Sequence, residues 1–393
     1  MPQTQFHRSR SELLARALST RTKWGLGVAW LTVALFSIGG DRLLHAGIGT
    51  SSAIGLFALL FGVILFAAFS VVGVADELAH QLGEPYGTLV LTISIVVIEV
   101  VLISAMMMGP GETATIGRDS MFAVLMLILN LVAGICLLFG GLKFGEQEYN
   151  AQGAVSYISM ILVLTGVAFV LPNFLPGAAG EFSTIESFAV ISIVSAVYVG
   201  FIAAQLKWYR RLFLQPDRGQ LSVPFRDSEA PTSELSDPSE SKSLAIMRSL
   251  VLLMLVIPIV LLAHHLAVLI DIGIDAVNAP VAVGGLLIAV IVFTPESFTA
   301  VKAALAGEKQ RSMNLYLGAC VSTFGLTVPA VLVIGLITGN PVVLGLGAVE
   351  ISLLVISLAL GALSFIGQRT SPIQGLIHIA LFAFYVVFLF SGS

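Results

Sequence analysis

Two glutamates stand within long apolar runs, Glu99 in GTLVLTISIVVIEVVLISAMMM and Glu296 in GGLLIAVIVFTPESFTAVKAAL. Each follows a glycine by twelve residues, Gly87 and Gly284, and the two glutamates are 197 positions apart. A carboxylate at bilayer depth is costly unless it faces protein, water or an ion, so both are transport candidates. Two carboxylates held close in a low dielectric must bind protons or a cation, and proton and metal then compete. Charge counting supplies a mechanism: one divalent ion or two protons neutralise the pair. If only the neutral site crosses the barrier, entry of two protons is coupled to exit of one Ca²⁺.

Neighbouring residues extend the ligand set. Pro295, directly before Glu296, lacks an N–H and displaces the carbonyl of Ile291 four residues back. Calcium takes six to eight oxygens at about 2.3–2.6 Å. Thr294, Ser297, Ser322 and Thr323 can add oxygens from the second half of the chain, and Thr92, Ser94 and Asn130 from the first. Glu99 and Glu296 are the candidate metal ligands, with Asn130, Ser322, Thr294, Ser297 and Ile291 completing the candidate cation site.

These side chains need elements that bring them together. Of 393 residues 57% are hydrophobic and 11% charged, with 38 glycines and a mean hydropathy of +0.99, which excludes an ordinary soluble domain. The expected fold is an all-α polytopic membrane protein. Eleven runs reach the roughly 20 apolar residues of a spanning helix: 25–45, 51–75, 86–108, 121–142, 153–173, 184–206, 246–270, 278–305, 313–338, 342–366 and 372–391. With a cytoplasmic N-terminus, 17 of the 19 Lys and Arg residues fall on the inside, leaving Arg42 and Arg118 outside. An odd number of spans then puts the C-terminus on the periplasmic or extracellular side. Cys136 and Cys320 lie within apolar runs and imply no disulfide framework.

A Ser-, Pro- and acid-rich stretch interrupts the apolar pattern and divides the chain into 1–50 (N-terminal tail and extra helix), 51–206, a cytoplasmic linker at 207–245, and 246–393. A flexible linker is its simplest reading, with cation sensing as the alternative. Five helices on each side force the second half to insert upside down relative to the first, an inverted repeat. Twelve residues of helix are about 18 Å at ~1.5 Å per residue, so Glu99 and Glu296 both reach the midplane, from opposite faces.

Other polar residues have competing readings. Glu350, expected in mid-helix, is either a relay group or a hydrogen-bonded structural residue. Asp76, Glu77, His80 and Glu84 form an acidic stretch at the expected cytoplasmic mouth: a solvated face, or a gate that attracts cations. The adjacent His264 and His265 point about 100° apart on a helix and share an ion poorly.

GEPYGTLVLTISIVVIEVVLISAMM from Gly83, and FTPESFTAVKAAL with QRSMNLYLGACVSTFGLTVPAVL, resemble the two repeats of the calcium/cation antiporter superfamily. The proton-coupled, CAX-like branch is the nearest, in particular the bacterial Cha-type calcium/proton and sodium(potassium)/proton antiporters. The resemblance spans almost the whole chain and implies a five-plus-five inverted fold, alternating access, a bacterial inner membrane and one essential acid per repeat. By position these acids are Glu99 and Glu296, with Asn130 and Ser322 where the superfamily places polar partners. The Gly-Asn-Ala-x-Glu of many relatives is replaced by Ile95–Ile98 before Glu99 and by Val292–Pro295 before Glu296. Fewer neutral oxygens weaken the discrimination of Ca²⁺ from Na⁺ and K⁺.

The expected activity is therefore Ca²⁺/H⁺ antiport, with Na⁺ and K⁺ as further cargo. Membrane lipid and inorganic cations are the expected partners; neither nucleic acid nor a cofactor is expected. A passive channel using the acidic pair as its selectivity site is the alternative. His-Glu-x-x-His, Gly-x-Ser-x-Gly and P-loop patterns are absent from the sequence, which disfavours an enzyme.

Overall fold

The computed structural model describes residues 18–43, 49–82, 86–108, 114–177, 180–214, 238–367 and 369–391. Among the described residues the apolar runs form eleven helices, because lipid offers backbone groups no partner and each segment must satisfy its own. They are α1 (Thr20–Leu43), α2 (Thr50–Leu82), α3 (Tyr86–Met107), α4 (Ile116–Phe144), α5 (Ala151–Phe174), α6 (Thr184–Trp208), α7 (Pro238–Val277), α8 (Ala282–Ala306), α9 (Lys309–Thr338), α10 (Ala348–Phe365) and α11 (Pro372–Ser391). Among the described residues ten are apolar and long enough to cross a bilayer; the eleventh, α3, has 22 residues, of which Ile93–Met107 is its described apolar stretch. Helix α7 starts at Pro238, eight residues before the expected 246. Most of the acidic linker, 215–237, lies outside the described residues.

Local chemistry sets several helix ends. The Asn150 side chain accepts from Gly153 N at the start of α5, and Ser183 with Glu186 forms a reciprocal capping box at the start of α6. Gly307, at φ 82°, closes α8 and permits the abrupt turn into α9. Isolated large apolar side chains such as Ile38, Ile185 and Ile337 project outward, as a lipid-facing surface requires.

One end of the bundle, the near end, holds the start of α1; the opposite end is the far end. At the near end a two-residue antiparallel ladder joins β1 (Gln147–Glu148) to β2 (Arg369–Thr370), and Lys143 Nζ donates to Leu305 O. At the far end Leu344 N donates to Gly180 O and Leu346 N to Phe169 O. The first half therefore starts at the far end with α2 and the second at the near end with α7.

Packing between the halves is reciprocal. Helix α2 lies along α7, α3 packs on α9, and α8 packs on α4; α6 covers the far part of α9 while α11 covers the near part of α4. A two-fold axis in the membrane plane demands this exchange. At the α8–α4 crossing a Cβ on Gly285 would stand 2.6 Å from Ser120 N, so the backbones meet directly there.

Among the described residues four helices contain a π-helical stretch: Leu127–Val132 in α4, Gly166–Val170 in α5, Ala204–Trp208 in α6 and Thr323–Thr327 in α9. Such wide turns accommodate one extra residue and recur at functional sites.

Candidate functional site

Glu99 sits 13 residues into α3 and Glu296 14 residues into α8, so helices entering from opposite ends bring both to mid-depth. Their exposures are 0% and 3%, and the two charges lie within Coulombic range of each other. Glu99 Oε2 accepts from Thr323 Oγ1 at 2.9 Å. The Thr327 hydroxyl approaches the same carboxylate without meeting hydrogen-bond geometry. Glu99 Oε1 and both carboxylate oxygens of Glu296 have no protein donor. Buried acceptors of this kind are costly and call for a proton, a water or a cation.

The proline beside Glu296 acts as its chemistry dictates. Helix α8 continues through Pro295, which has no N–H to give the Ile291 carbonyl, and Ile291 is fully buried. A cavity large enough for about one water opens on Glu296 and Ser297, with Ile128 and Val132 of α4 and Tyr316 and Ala319 of α9 around it. Among the described residues no group of three or more His, Cys, Asp and Glu converges, so a cation here would rely on two carboxylates plus hydroxyl and carbonyl oxygens.

The remaining expected ligands are placed less directly. Thr294 Oγ1 donates to Val290 O, and Ser297 Oγ to Phe293 O at 2.6 Å, each bonding one turn back on its own helix. Ser322 Oγ pairs with Tyr198 OH of α6 at 3.0 Å. Asn130 belongs to a separate buried network: its Nδ2 donates to Ser357 Oγ of α10 at 2.9 Å, its Oδ1 lies 3.2 Å from His378 Nδ1 of α11, and His378 Nε2 lies 3.1 Å from Ser364 Oγ. Ser94 Oγ donates to Val90 O; the side chain of Thr92 lies outside the described residues.

Three readings of the acidic residues change. Glu350 is in the first turn of α10 rather than in mid-helix, at the far end and within Coulombic range of Asp119 on α4. Asp76 and Glu77 stay partly exposed but are paired across helices: Asp76 Oδ1 with Arg311 of α9 at 2.9 Å, and Glu77 Oε2 with Arg248 of α7 at 3.2 Å. These pairs tie α2 to the second half at the near end. Glu84 and the side chain of His80 lie outside the described residues. The His265 ring packs on Phe36 with centroids 5.2 Å apart.

Residue patterns left several functional candidates unread. Thr327 stands one turn beyond Thr323, an i, i+4 pair in sequence that marks one helix face. Tyr316 lines the cavity at Glu296 and gave no signal beyond being a tyrosine in an apolar run. Lys309 counts among the inner positive charges, yet it is 1% exposed.

The sequence profile described as "Sodium/calcium exchanger protein" matches residues 52–207 and 248–391, which hold α2–α6 and α7–α11. The chain belongs to the sodium/calcium exchanger family. This exchanger is 37% identical over 359 residues to the sodium-potassium/proton antiporter ChaA of Escherichia coli (strain K12), covering 91% of this chain and 93% of that protein. Among solved structures it is similar to native YfkE, with a TM-score of 0.69 at 16% identity, covering 93% of this chain and 99% of that one. It is also similar to the H⁺/Ca²⁺ exchanger CAX, with a TM-score of 0.65 at 13% identity, covering 94% of this chain and 89% of that one. The exchanger is thus a multi-pass membrane transporter rather than an enzyme or a channel.

Proposed function

We propose that this exchanger moves Ca²⁺, and also Na⁺ and K⁺, against protons by alternating access, with Glu99 and Glu296 as the shared site. The observation that carries the reading is a buried carboxylate pair in which three of the four oxygens lack a protein donor. Ca²⁺ neutralises both carboxylates at once, and two protons do the same when it leaves, so the minimal cycle is electroneutral. A monovalent ion neutralises only one, and the second carboxylate then keeps a proton. Ile291 O supplies a further oxygen, as do Ser297 and Ser322 once their present bonds rearrange, while Thr323 holds Glu99 in place. With few neutral ligands and Ile95–Ile98 on the approach to Glu99, the site discriminates weakly between cations. The likeness to a sodium-potassium/proton antiporter supports that breadth.

In the same reading the near end faces the cytoplasm of a bacterial cell, because 17 of 19 basic residues fall on that side of the expected topology. The test is dissipation of a pH gradient in proteoliposomes on adding Ca²⁺, Na⁺, K⁺ or Mg²⁺ separately, with Glu296→Gln as control. Cation-dependent proton movement that vanishes in the variant is the expected result. A folded protein that moves no protons with any of these cations would overturn the antiport reading.

A further inference from the structure

A second set of buried polar groups lies between the carboxylates and the near end. Lys309 opens α9, and the turn from Gly307 folds it inward instead of into water. Its Nζ has no hydrogen-bond partner, nor has Tyr316 OH, and Ser312 Oγ approaches the Cys136 thiol of α4 without meeting hydrogen-bond geometry. The three residues are 3 and 4 positions apart, on one face of α9, and the same face reaches Thr323 at Glu99 one further pair of turns along. Tyr316 bounds the cavity that opens on Glu296. From Lys309 to Tyr316 is about 10 Å along the axis at ~1.5 Å per residue.

The surroundings of Lys309 make its charge conditional. Cys136 of α4 is the titratable group that acts on it most directly, His378 of α11 lies within Coulombic range, and Tyr316 and Tyr149 complete the titratable groups on this side. No carboxylate among the described residues compensates it. The adjacent Glu308 turns outward to Arg311 at 3.0 Å, and Arg311 reaches on to Asp76. Lys143, across the same end, donates to Leu305 O. A buried ammonium with no counter-charge is costly, whereas a neutral amine is far less so. Lysine is the basic side chain that can make this change, since arginine cannot lose its proton.

We propose that Lys309, with Ser312 and Tyr316, is the proton limb joining the central carboxylates to the near end of the bundle. The inference rests on the proton-antiport reading and adds a route to it. A proton leaving the site passes to water in the cavity; the Tyr316 hydroxyl accepts it and gives up its own, and water beside Ser312 delivers it to the amine. Lys309 becomes an ammonium as the near end opens and gives the proton to the solvent, returning to the amine. Each relay group ends unchanged. Cations take no part in this limb, which separates the two substrates on one side of the membrane.

The test compares two activities of the full chain in proteoliposomes: proton-coupled Ca²⁺ flux, and ⁴⁵Ca²⁺/Ca²⁺ self-exchange, which needs no proton. Lys309→Met should lower the first by about a hundredfold, the lower edge of what a positioned proton-transfer group provides, and leave the second unchanged. Tyr316→Phe should lower proton-coupled flux similarly. Lys309→His should restore part of that flux with an optimum at lower pH, a change that a purely structural role would not produce. Wild-type coupled flux in Lys309→Met, or self-exchange that falls in step with it, would overturn the proposal. A wild-type protein that shows self-exchange but no proton coupling would instead refute the antiport reading beneath it.

Discussion

Thr323→Val isolates one hydrogen bond at the centre of the exchanger. The hydroxyl donates to Glu99 Oε2 at 2.9 Å, both residues are 0% exposed, and no other protein donor reaches either oxygen in hydrogen-bond geometry. Valine keeps the side-chain shape and the packing of the π-helical turn, so the change is confined to the donor. A hydrogen bond to a charged group contributes about 1.5–3 kcal/mol, and ~1.4 kcal/mol is a factor of ten. The half-saturating Ca²⁺ concentration should therefore rise roughly ten- to a hundredfold, because the bond fixes the ionised carboxylate that the cation needs. Proton release from a preset pH gradient, titrated with Ca²⁺ at constant pH, measures it. Thr327→Val should shift the titration less, since its hydroxyl stands outside hydrogen-bond geometry. A Thr323→Val protein with an unchanged melting curve and half-saturation within about twofold of wild type would refute the argument that this bond sets up Glu99.

Further outcomes follow from the same geometry. Glu99→Gln and Glu296→Gln should each abolish exchange while the protein still elutes as a folded species in detergent; robust transport by either variant would contradict a shared site. Asn130→Ala should cost about 1–3 kcal/mol of stability by leaving Ser357 and His378 short of partners, with Ca²⁺ half-saturation little changed. A large affinity loss at unchanged stability would return Asn130 to the ligand set. Gly285→Val should destabilise the α8–α4 crossing by about 1–3 kcal/mol or more, since even a Cβ there would stand 2.6 Å from Ser120 N; a thermal melt matching wild type would show that the helices can separate freely.

The helices were legible because lipid imposes one rule on every backbone polar group, and the apolar runs obey it. The depth of Glu99 and Glu296 was legible too, as it needs only a helical rise and a starting residue. What the residues could not announce is which way a polar side chain turns once it is inside. Asn130 lies opposite Ser322 in the repeat pattern, yet α10 and α11 offer it Ser357 and His378, and these partners are 227 and 248 positions away in the chain. Lys309 is a second case: a lysine between two helices counts as a loop charge until the turn at Gly307 carries it under α4. Glu350 lost its mid-helix reading because Val343–Leu346 pair with the far-end segments at Ala114, Phe169 and Gly180 instead of extending α10.

The wide turn in α4 also gives that helix two addresses. Each residue advances a helix by about 100°, so the one added within Leu127–Val132 sets the near half out of phase with the far half. The far half presents the Asp119–Ser120 backbone to Gly285 of α8, and the near half presents Gly134 to the backbone of Gly375 in α11. Neither contact tolerates a side chain, and a regular helix could not satisfy both, because one register would swing Gly134 away from its partner. The extra residue is a phase shifter. It lets one rod be keyed to α8 at one end and to α11 at the other, both from the opposite half.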